Sequence, residues 1–156
     1  MTAQLLADAL EAEHHEIDGG IEQFAAGLAS GHSNPAPLKR AMAALRRHIY
    51  LEESFLFPPL KADLAMPIFV MEREHGQIWD DMDELDALLE LEQPESATLQ
   101  STCRELLAKL ERHNEKEEPI IYAHAANTLS PELAKPMAAF LETGMMPDGW
   151  RASKAS

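Results

Sequence analysis

A short motif that occurs twice, HxxxEE, limits the fold of this chain more than any other feature. The first copy begins at His48 and carries Glu52, and the second begins at His113 and carries Glu117. Residues four apart lie on one face of an α-helix, so each copy can direct an imidazole and a carboxylate to one point. Two such pairs on facing helices of a bundle can hold two metal ions. The motif therefore predicts helices packed around a metal centre.

Hydrophobic periodicity predicts four long helices, one short C-terminal helix and no strands. In each long helix, apolar residues recur at alternating spacings of three and four, which is typical of helices packed nearly parallel in a bundle. The predicted loops are short, so neighbouring helices should run antiparallel. We therefore expect a single all-α domain over residues 1–156, an up-down-up-down antiparallel four-helix bundle. The bundle should cover about residues 2–128, with a short fifth helix and an irregular tail in about residues 130–156.

Proline residues set several of the expected helix ends. Pro58 and Pro59 should stop the second helix, which begins at Pro37, because proline lacks an N–H and clashes with the preceding turn. The third helix should start near Pro67, and Pro119 should kink the fourth helix or end it soon after. In the fifth helix, the spacing predicts four core residues: Leu133, Met137, Phe140 and Leu141.

Composition and charge narrow the class of protein. Hydrophobic residues make up 46% of the chain and its formal net charge is -14, which indicates a soluble globular protein. Nucleic acid and anionic membranes are disfavoured as partners, because both select clustered Lys and Arg. No apolar run approaches the ~20 residues needed to cross a bilayer, and no secretory signal is recognisable. Cys103 is the only cysteine, which excludes an internal disulfide and fits a cytoplasmic location.

The chain also contains an internal repeat of a helical hairpin. The segment around His14 aligns with the segment around His75, and the HxxxEE motif at His48 aligns with the one at His113. Each copy of the hairpin therefore carries a lone histidine followed by a His–Glu pair. Two related hairpins predict a bundle with a pseudo-twofold axis, and the metal site should lie on that axis.

Six polar side chains interrupt the apolar stripes at positions that face the predicted core. A buried ionised carboxylate is costly unless it is paired or bound to a metal. Two cations would account for all six residues, with the carboxylates bridging the ions and the imidazoles capping each one. Such mixed ligation admits iron, manganese or zinc, and six ligands divided between two ions better suit iron or manganese. The candidate ligands are His14, His48, Glu52, His75, His113 and Glu117.

Several other residues have more than one interpretation. His124 lies seven residues after Glu117 and would add a ligand if the fourth helix continued that far. Gly19 and Gly20, in the middle of the first helix, indicate either close packing or a path for a small molecule. Cys103 lies on the core stripe and is expected to pack rather than to react.

The order H…HxxxE…H…HxxxE, with EHxxI on the first and third helices, resembles the hemerythrin-like HHE cation-binding family. The resemblance runs from Leu5 to Tyr122. It implies a four-helix bundle around a non-haem di-iron centre with an oxo or hydroxo bridge. By position, the resemblance assigns one iron to His14 and His48, the other to His75 and His113, and both irons to the bridging Glu52 and Glu117.

One departure from the oxygen-carrying hemerythrins bears on function. Those proteins carry HxxxH on the third helix, whereas here Trp79 stands four residues after His75. They also usually carry HxxxxD on the fourth helix, where this chain has HxxxE. The missing histidine implies an open position on both irons, where O2, peroxide or NO would bind, unless Glu72 supplies a ligand. Trp79 is expected either to shield the site or to pack in the core.

We therefore expect a di-iron protein that binds or senses a small molecule such as O2, NO or peroxide. One alternative is a di-iron enzyme that reduces NO or peroxide. It would need an electron donor, and the chain contains no flavin, haem or iron–sulfur motif. Another alternative is an iron storage, repair or regulatory module, because the site resembles the more symmetric prokaryotic type that is also seen in the family that repairs damaged iron centres.

Overall fold

The computed structural model describes all 156 residues and contains six α-helices, two short π-helical turns and no strands. The all-helical prediction is confirmed, and the four predicted long helices are present. The up-down-up-down order stays a prediction. The bounds are α1 (Ala3–Ala29), α2 (Ala36–Leu51), a first π turn (Glu52–Leu56), α3 (Phe57–Leu89), α4 (Ser96–Glu117), a second π turn (Glu118–Tyr122), α5 (Ala123–Thr128) and α6 (Pro131–Thr143).

Local sequence explains where α1 and α6 begin. The Thr2 hydroxyl accepts the backbone N–H of Leu5, and the Ser130 hydroxyl accepts that of Leu133, so each helix start has a side-chain cap. In α1, the spacing of three or four residues predicts an inward stripe of seven residues, and all seven are buried. They are Leu6, Leu10, His14, Ile17, Ile21, Phe24 and Leu28.

The prediction that Pro58 and Pro59 stop the second helix is wrong. Both lie in the first turn of α3, directly after the first π turn, and the helix continues through them. The chain stays helical there because the wider π turn has already changed the backbone hydrogen-bond pattern directly before the prolines. The break comes later, at Leu64, whose φ of -127° and ψ of 40° are not helical. Pro67, where the third helix was expected to start, follows this break by three residues.

The break at Leu64 is where the chain turns back. A straight helix would place Glu52 and His75 about 35 Å apart. Their side chains are instead 3.2 Å apart, between Glu52 Oε1 and His75 Nε2. Leu64 lies close to midway between them, 12 residues after Glu52 and 11 residues before His75. Two halves of nearly equal length bring the two residues to the same level of the bundle.

The two π turns follow the two HxxxEE motifs and change which residues face inward. The N–H of Phe57 bonds to the carbonyl of Glu52, five residues back rather than four. In the second turn, the N–H of Ala123 bonds in the same way to the carbonyl of Glu118. The wider turn moves the inward face on by one residue. Ile120, which α-helical spacing placed in the core, is therefore 43% exposed.

A buried polar layer divides the hydrophobic core into two clusters. One cluster, which includes Ile21, Leu45 and Leu106, lies on one side of the candidate ligands along the helices. The other, which includes Leu10 and Phe57, lies on the opposite side. The polar layer is thus enclosed at both ends by apolar side chains, which keeps bulk water away from it.

The C-terminal region packs against the bundle. Helix α6 buries Met137 and Phe140 as predicted, whereas Leu141 is only partly buried. It buries Ala134 in place of Leu133, which is 46% exposed. The tail after α6 is irregular, as expected, yet Ala152 is only 4% exposed. The tail therefore forms part of the fold.

By length and composition, one helical span, Ala36–Leu89, contains a window apolar enough to cross a membrane, although none was expected from the lengths of the apolar runs. The span is not one straight helix, because Leu64 breaks it and the chain turns back there. It is only a weak indication of a membrane protein.

Candidate metal centre

The structure brings all six predicted ligand residues together in the buried polar layer. None of the six is more than 5% exposed. Their donor atoms form two groups, each within 4.8 Å, and the two groups share both glutamates. We call the first group position 1 and the second position 2. Position 1 contains His14, His48, Glu52 and Glu117, and position 2 contains His75, His113, Glu52 and Glu117.

Each shared glutamate offers one oxygen to each position. Glu52 Oε2 lies 3.4 Å from His48 Nε2 in position 1, and Glu52 Oε1 lies 3.2 Å from His75 Nε2 in position 2. Glu117 Oε1 lies 3.2 Å from His14 Nε2, and Glu117 Oε2 lies 3.2 Å from His113 Nε2. This is the arrangement that a carboxylate adopts when it bridges two cations.

A second set of four glutamates holds the outer nitrogen of each histidine. Each Nδ1–H donates to a carboxylate at 2.8 or 2.9 Å, which leaves the Nε2 lone pair directed inward. Such partners fix the ring orientation and raise the basicity of a metal-binding histidine. The pairs are His14 with Glu118, His48 with Glu13, His75 with Glu53, and His113 with Glu74.

Sequence reasoning missed these four glutamates, although the sequence contains their signal. Glu13 and Glu74 each directly precede a lone histidine, as part of the dipeptide Glu-His. Glu53 and Glu118 each directly follow one of the two shared glutamates, as part of Glu-Glu. The repeat thus carries the supporting residues together with the candidate ligands.

Tyr122 is a further member of the site that sequence reasoning missed. Its hydroxyl donates to Glu52 Oε2 at 2.6 Å and lies 3.0 Å from the Nε2 atoms of both His14 and His48. Tyr122 stands five residues after Glu117, which in an α-helix would place it off the inward face. The second π turn restores it to that face, so α-helical spacing alone could not identify it.

Several buried polar atoms in the site have no hydrogen-bond partner. They include Glu52 Oε1, Glu117 Oε1 and His75 Nε2, all of them candidate donor atoms. In addition, His14 Nε2 and His48 Nε2 face each other at 3.1 Å. Both Nδ1–H groups already donate to glutamates, and two Nε2–H groups cannot point at each other over this distance, so at most one of these Nε2 atoms carries a proton. Buried polar groups are rarely left without partners. Cations between these atoms would satisfy them, so the residues fit a pair of metal ions.

The acidic side chains of the site strongly favour positive charge at its centre. Burial alone would lower the pKa of His48, but the carboxylates of Glu52 and Glu13 raise it to about 10. Burial, together with Glu117 and Glu52, raises the pKa of Tyr122 well above its ordinary value. The carboxylates therefore require positive charge beside them, which either protons or metal ions can supply.

The remaining candidate residues lie away from the centre. His124 pairs with Asp63 at the surface, with 3.0 Å between Nε2 and Oδ2, and Glu72 lies 3.8 Å from the ammonium group of Lys61. Trp79 packs edge-on against Trp150 of the tail, with 5.5 Å between the ring centroids. Of its two expected roles, it therefore packs in the core rather than shielding the site.

The glycine pair of α1 also has a simple explanation. A Cβ at Gly20 would lie 2.9 Å from the Cβ of Ala41, so this residue allows α1 and α2 to approach closely. A Cβ at Gly19 would meet nothing within 4 Å. Close packing therefore accounts for Gly20, and Gly19 faces open space.

Comparison with known proteins agrees with this geometry. No curated protein and no solved structure gave a significant match. The family model described as "Hemerythrin HHE cation binding domain" matches residues 5–125, which is most of the chain and includes every candidate ligand. The chain belongs to the hemerythrin HHE cation-binding domain family.

Proposed function

We propose that this protein is a non-haem di-iron protein that binds or senses a small molecule such as O2, NO or peroxide. The observation that carries the proposal is the pair of overlapping donor groups that share both Glu52 and Glu117. A single ion would leave half of these inward donors without a partner. Iron suits these six residues, because non-haem iron sites combine imidazole and carboxylate ligands with open coordination positions.

The residues of the chain would hold the ions and control what reaches them. The histidines would cap each ion through Nε2, while the outer glutamates hold their rings in place. The apolar clusters on both sides exclude bulk water. When bound, an iron pair supplies coordination positions and electrons for a small molecule.

Metal analysis of the purified protein tests the proposal. After anaerobic reconstitution with ferrous iron, we expect two irons per chain and, on oxidation, visible absorption from an oxygen-bridged ferric pair. His75→Ala should lower the iron content of position 2. His15→Ala, which removes an exposed histidine beside the site, is the matched control and should bind as the wild type does. Less than one iron per chain in the wild type would contradict the proposal.

Rapid mixing separates binding from catalysis at the same site. The reduced protein would be mixed with O2, NO and H2O2 in turn. A stable adduct that forms reversibly supports a binding or sensing role. Repeated consumption of NO or peroxide in the presence of an added electron donor supports the alternative, a di-iron enzyme that reduces one of them.

Iron storage or delivery is a second candidate, and a surface groove between α1 and α4 favours it. The groove has a volume of about 570 Å³ and reaches His14. Five of its lining residues are acidic, namely Asp18, Glu22, Glu111, Glu115 and Glu118, whereas Arg104 is the only Lys or Arg among them. Such a groove attracts cations. Rapid loss of iron to mild chelators would support this role, and retention for many hours would exclude it.

The expected partners and compartment belong to the same proposal. We propose a cytoplasmic protein that uses a small diatomic molecule or peroxide as ligand and does not bind nucleic acid or membranes. The net charge of -14 and the single, buried cysteine support this. Manganese or zinc would be substitutes at the same ligands.

A further inference from the structure

The internal repeat is broken at one residue beside the metal centre. Tyr122 and Phe57 occupy equivalent places, each five residues after a bridging glutamate and at the end of, or directly after, a π turn. The Phe57 ring stacks on His75 with 5.6 Å between centroids, and the Tyr122 ring stacks on His14 at 5.4 Å. The two halves therefore differ here by one hydroxyl, which lies on the side of position 1.

The Tyr122 oxygen lies where a metal ligand would lie. For an octahedral ion with bonds of about 2.1 Å, neighbouring donor atoms are about 3.0 Å apart. The Tyr122 oxygen is 3.0 Å from the Nε2 atoms of both His14 and His48, and these nitrogens are 3.1 Å from each other. The three atoms thus form one triangular face of an octahedron. Glu52 Oε2, 2.6 Å from the same oxygen, lies beside this face.

We propose that Tyr122 Oη is a fifth protein donor to the ion at position 1, and that an added small molecule binds the ion at position 2. The inference rests on the proposed function, because it assumes that two irons are bound. On binding ferric iron, the tyrosine oxygen gives up its proton to solvent and coordinates as a phenolate. The hydrogen bond to Glu52 is then replaced by a bond from each residue to the ion.

Counting donors shows why the two ions differ. Position 1 has two histidines, two shared glutamates and Tyr122, whereas position 2 has two histidines and the same glutamates. A cavity of about 10 Å³ lined by all six candidate ligands has room for about one solvent-derived bridging atom. With that bridge, position 1 reaches six donors and position 2 reaches five. The sixth coordination site of the ion at position 2 therefore stays open, on the side of Phe57.

Two single substitutions and their combination test the assignment. Tyr122→Phe removes the donor from position 1, and Phe57→Tyr adds the equivalent hydroxyl to position 2. The combined variant exchanges the two halves. Each diferric protein would be examined by resonance Raman spectroscopy for iron–phenolate tyrosine modes, by visible absorption for the accompanying charge-transfer band, and by titration with azide. Iron content and thermal melting are measured on each sample.

We expect the wild type to show iron–phenolate modes and to bind one azide. Tyr122→Phe should keep two irons, lose these modes and bind a second azide. Phe57→Tyr should keep the modes and weaken azide binding by about tenfold or more, the size of effect that neighbouring groups produce at metal sites. In the combined variant, phenolate modes should return and azide binding should recover.

The possible failures are distinguishable. A wild type that holds two irons but shows no phenolate modes would overturn the assignment of Tyr122 and leave the di-iron proposal standing. Azide binding by Phe57→Tyr equal to that of the wild type would overturn the assignment of the open place to position 2. A wild type without iron would contradict the proposed function itself. If Phe57→Tyr does not fold, Tyr122→Phe decides the question, because it only removes an oxygen.

Discussion

At the scale of single residues, each outer glutamate fixes the orientation of one histidine of the candidate site. Glu118 accepts the Nδ1–H of His14 at 2.8 Å and is otherwise partly open to the groove. We predict that Glu118→Ala lowers iron affinity at position 1 by about 10- to 100-fold, because the ring loses its fixed orientation and its added basicity. Competition with a chelator of known affinity measures the change.

Two variants control the Glu118 experiment. Glu115→Ala removes a neighbouring exposed carboxylate of the same groove and should leave affinity unchanged. Glu118→Gln keeps a hydrogen-bond acceptor without the charge and should recover part of the loss. Equal losses in Glu115→Ala and Glu118→Ala would mean that groove charge, rather than the bond to His14, controls affinity.

Cys103 gives a second prediction at this scale. It is fully buried in the cluster that contains Leu106, and burial raises the pKa of its thiol to about 11. The reactive thiolate form is therefore scarce at ordinary pH. We predict that a disulfide reagent at pH 8 leaves the folded protein unmodified and labels one thiol per chain after unfolding in guanidinium. Rapid labelling of the folded protein would show that this cluster opens readily.

At the scale of helices and turns, the sequence pattern is a good guide to α-helix and a poor one to π turns. The stripe of α1 could be predicted because one period of 3.6 residues holds from Leu6 to Leu28. Beyond Glu117 the period changes for one turn, so α-helical spacing places Ile120 inside and misses Tyr122. The same change before Pro58 allowed the helix to continue where proline was expected to stop it.

The contact between α3 and the C-terminal tail leads to the third prediction. A Cβ at Gly76 would overlap the backbone carbonyl of Lys154. Gly76→Ala should therefore displace the tail and lower the free energy of unfolding by about 1–3 kcal/mol. Gly19→Ala is the matched control, because its Cβ would meet nothing within 4 Å and alanine favours helix by up to about 1 kcal/mol. Denaturant unfolding measures both, and no loss in Gly76→Ala would show that the tail is not held at this point.

At the scale of the whole molecule, metal binding should couple to folding. Four histidines and two glutamates occupy one buried layer between two apolar clusters. Each metal ion that binds only the folded chain adds about 2.7 kcal/mol to the free energy of unfolding when its free concentration is 100 times its dissociation constant. For a domain of this size, that corresponds to a rise in Tm of about 5–10 °C.

Calorimetry of the metal-free and iron-loaded forms checks this rise in Tm. A variant that carries both His48→Ala and His113→Ala should show little or none of it, because each position loses one capping histidine. An equal rise in that variant would place the stabilising iron elsewhere on the chain.

The candidate site could be predicted from sequence because its ligands interrupt apolar stripes in a repeated order. What could not be predicted depends on contacts between distant segments. The backbone N–H of Ser153 donates to Glu53 Oε1 at 3.0 Å, and Glu53 in turn holds His75. No local pattern links a residue of the tail to a glutamate 100 positions earlier in the chain.

The tail covers Glu53, which holds His75 of position 2. Glu118, which holds His14 of position 1, instead borders the groove between α1 and α4. The two ions should therefore differ in lability. We predict that a soluble chelator extracts iron in two kinetic phases of equal amplitude, and that the faster phase is iron from position 1, beside Glu118. Removal of residues 148–156 should speed only the slower phase, which is iron from position 2. During turnover of its iron, the protein would then pass through a half-loaded form with a single iron, retained beside His75.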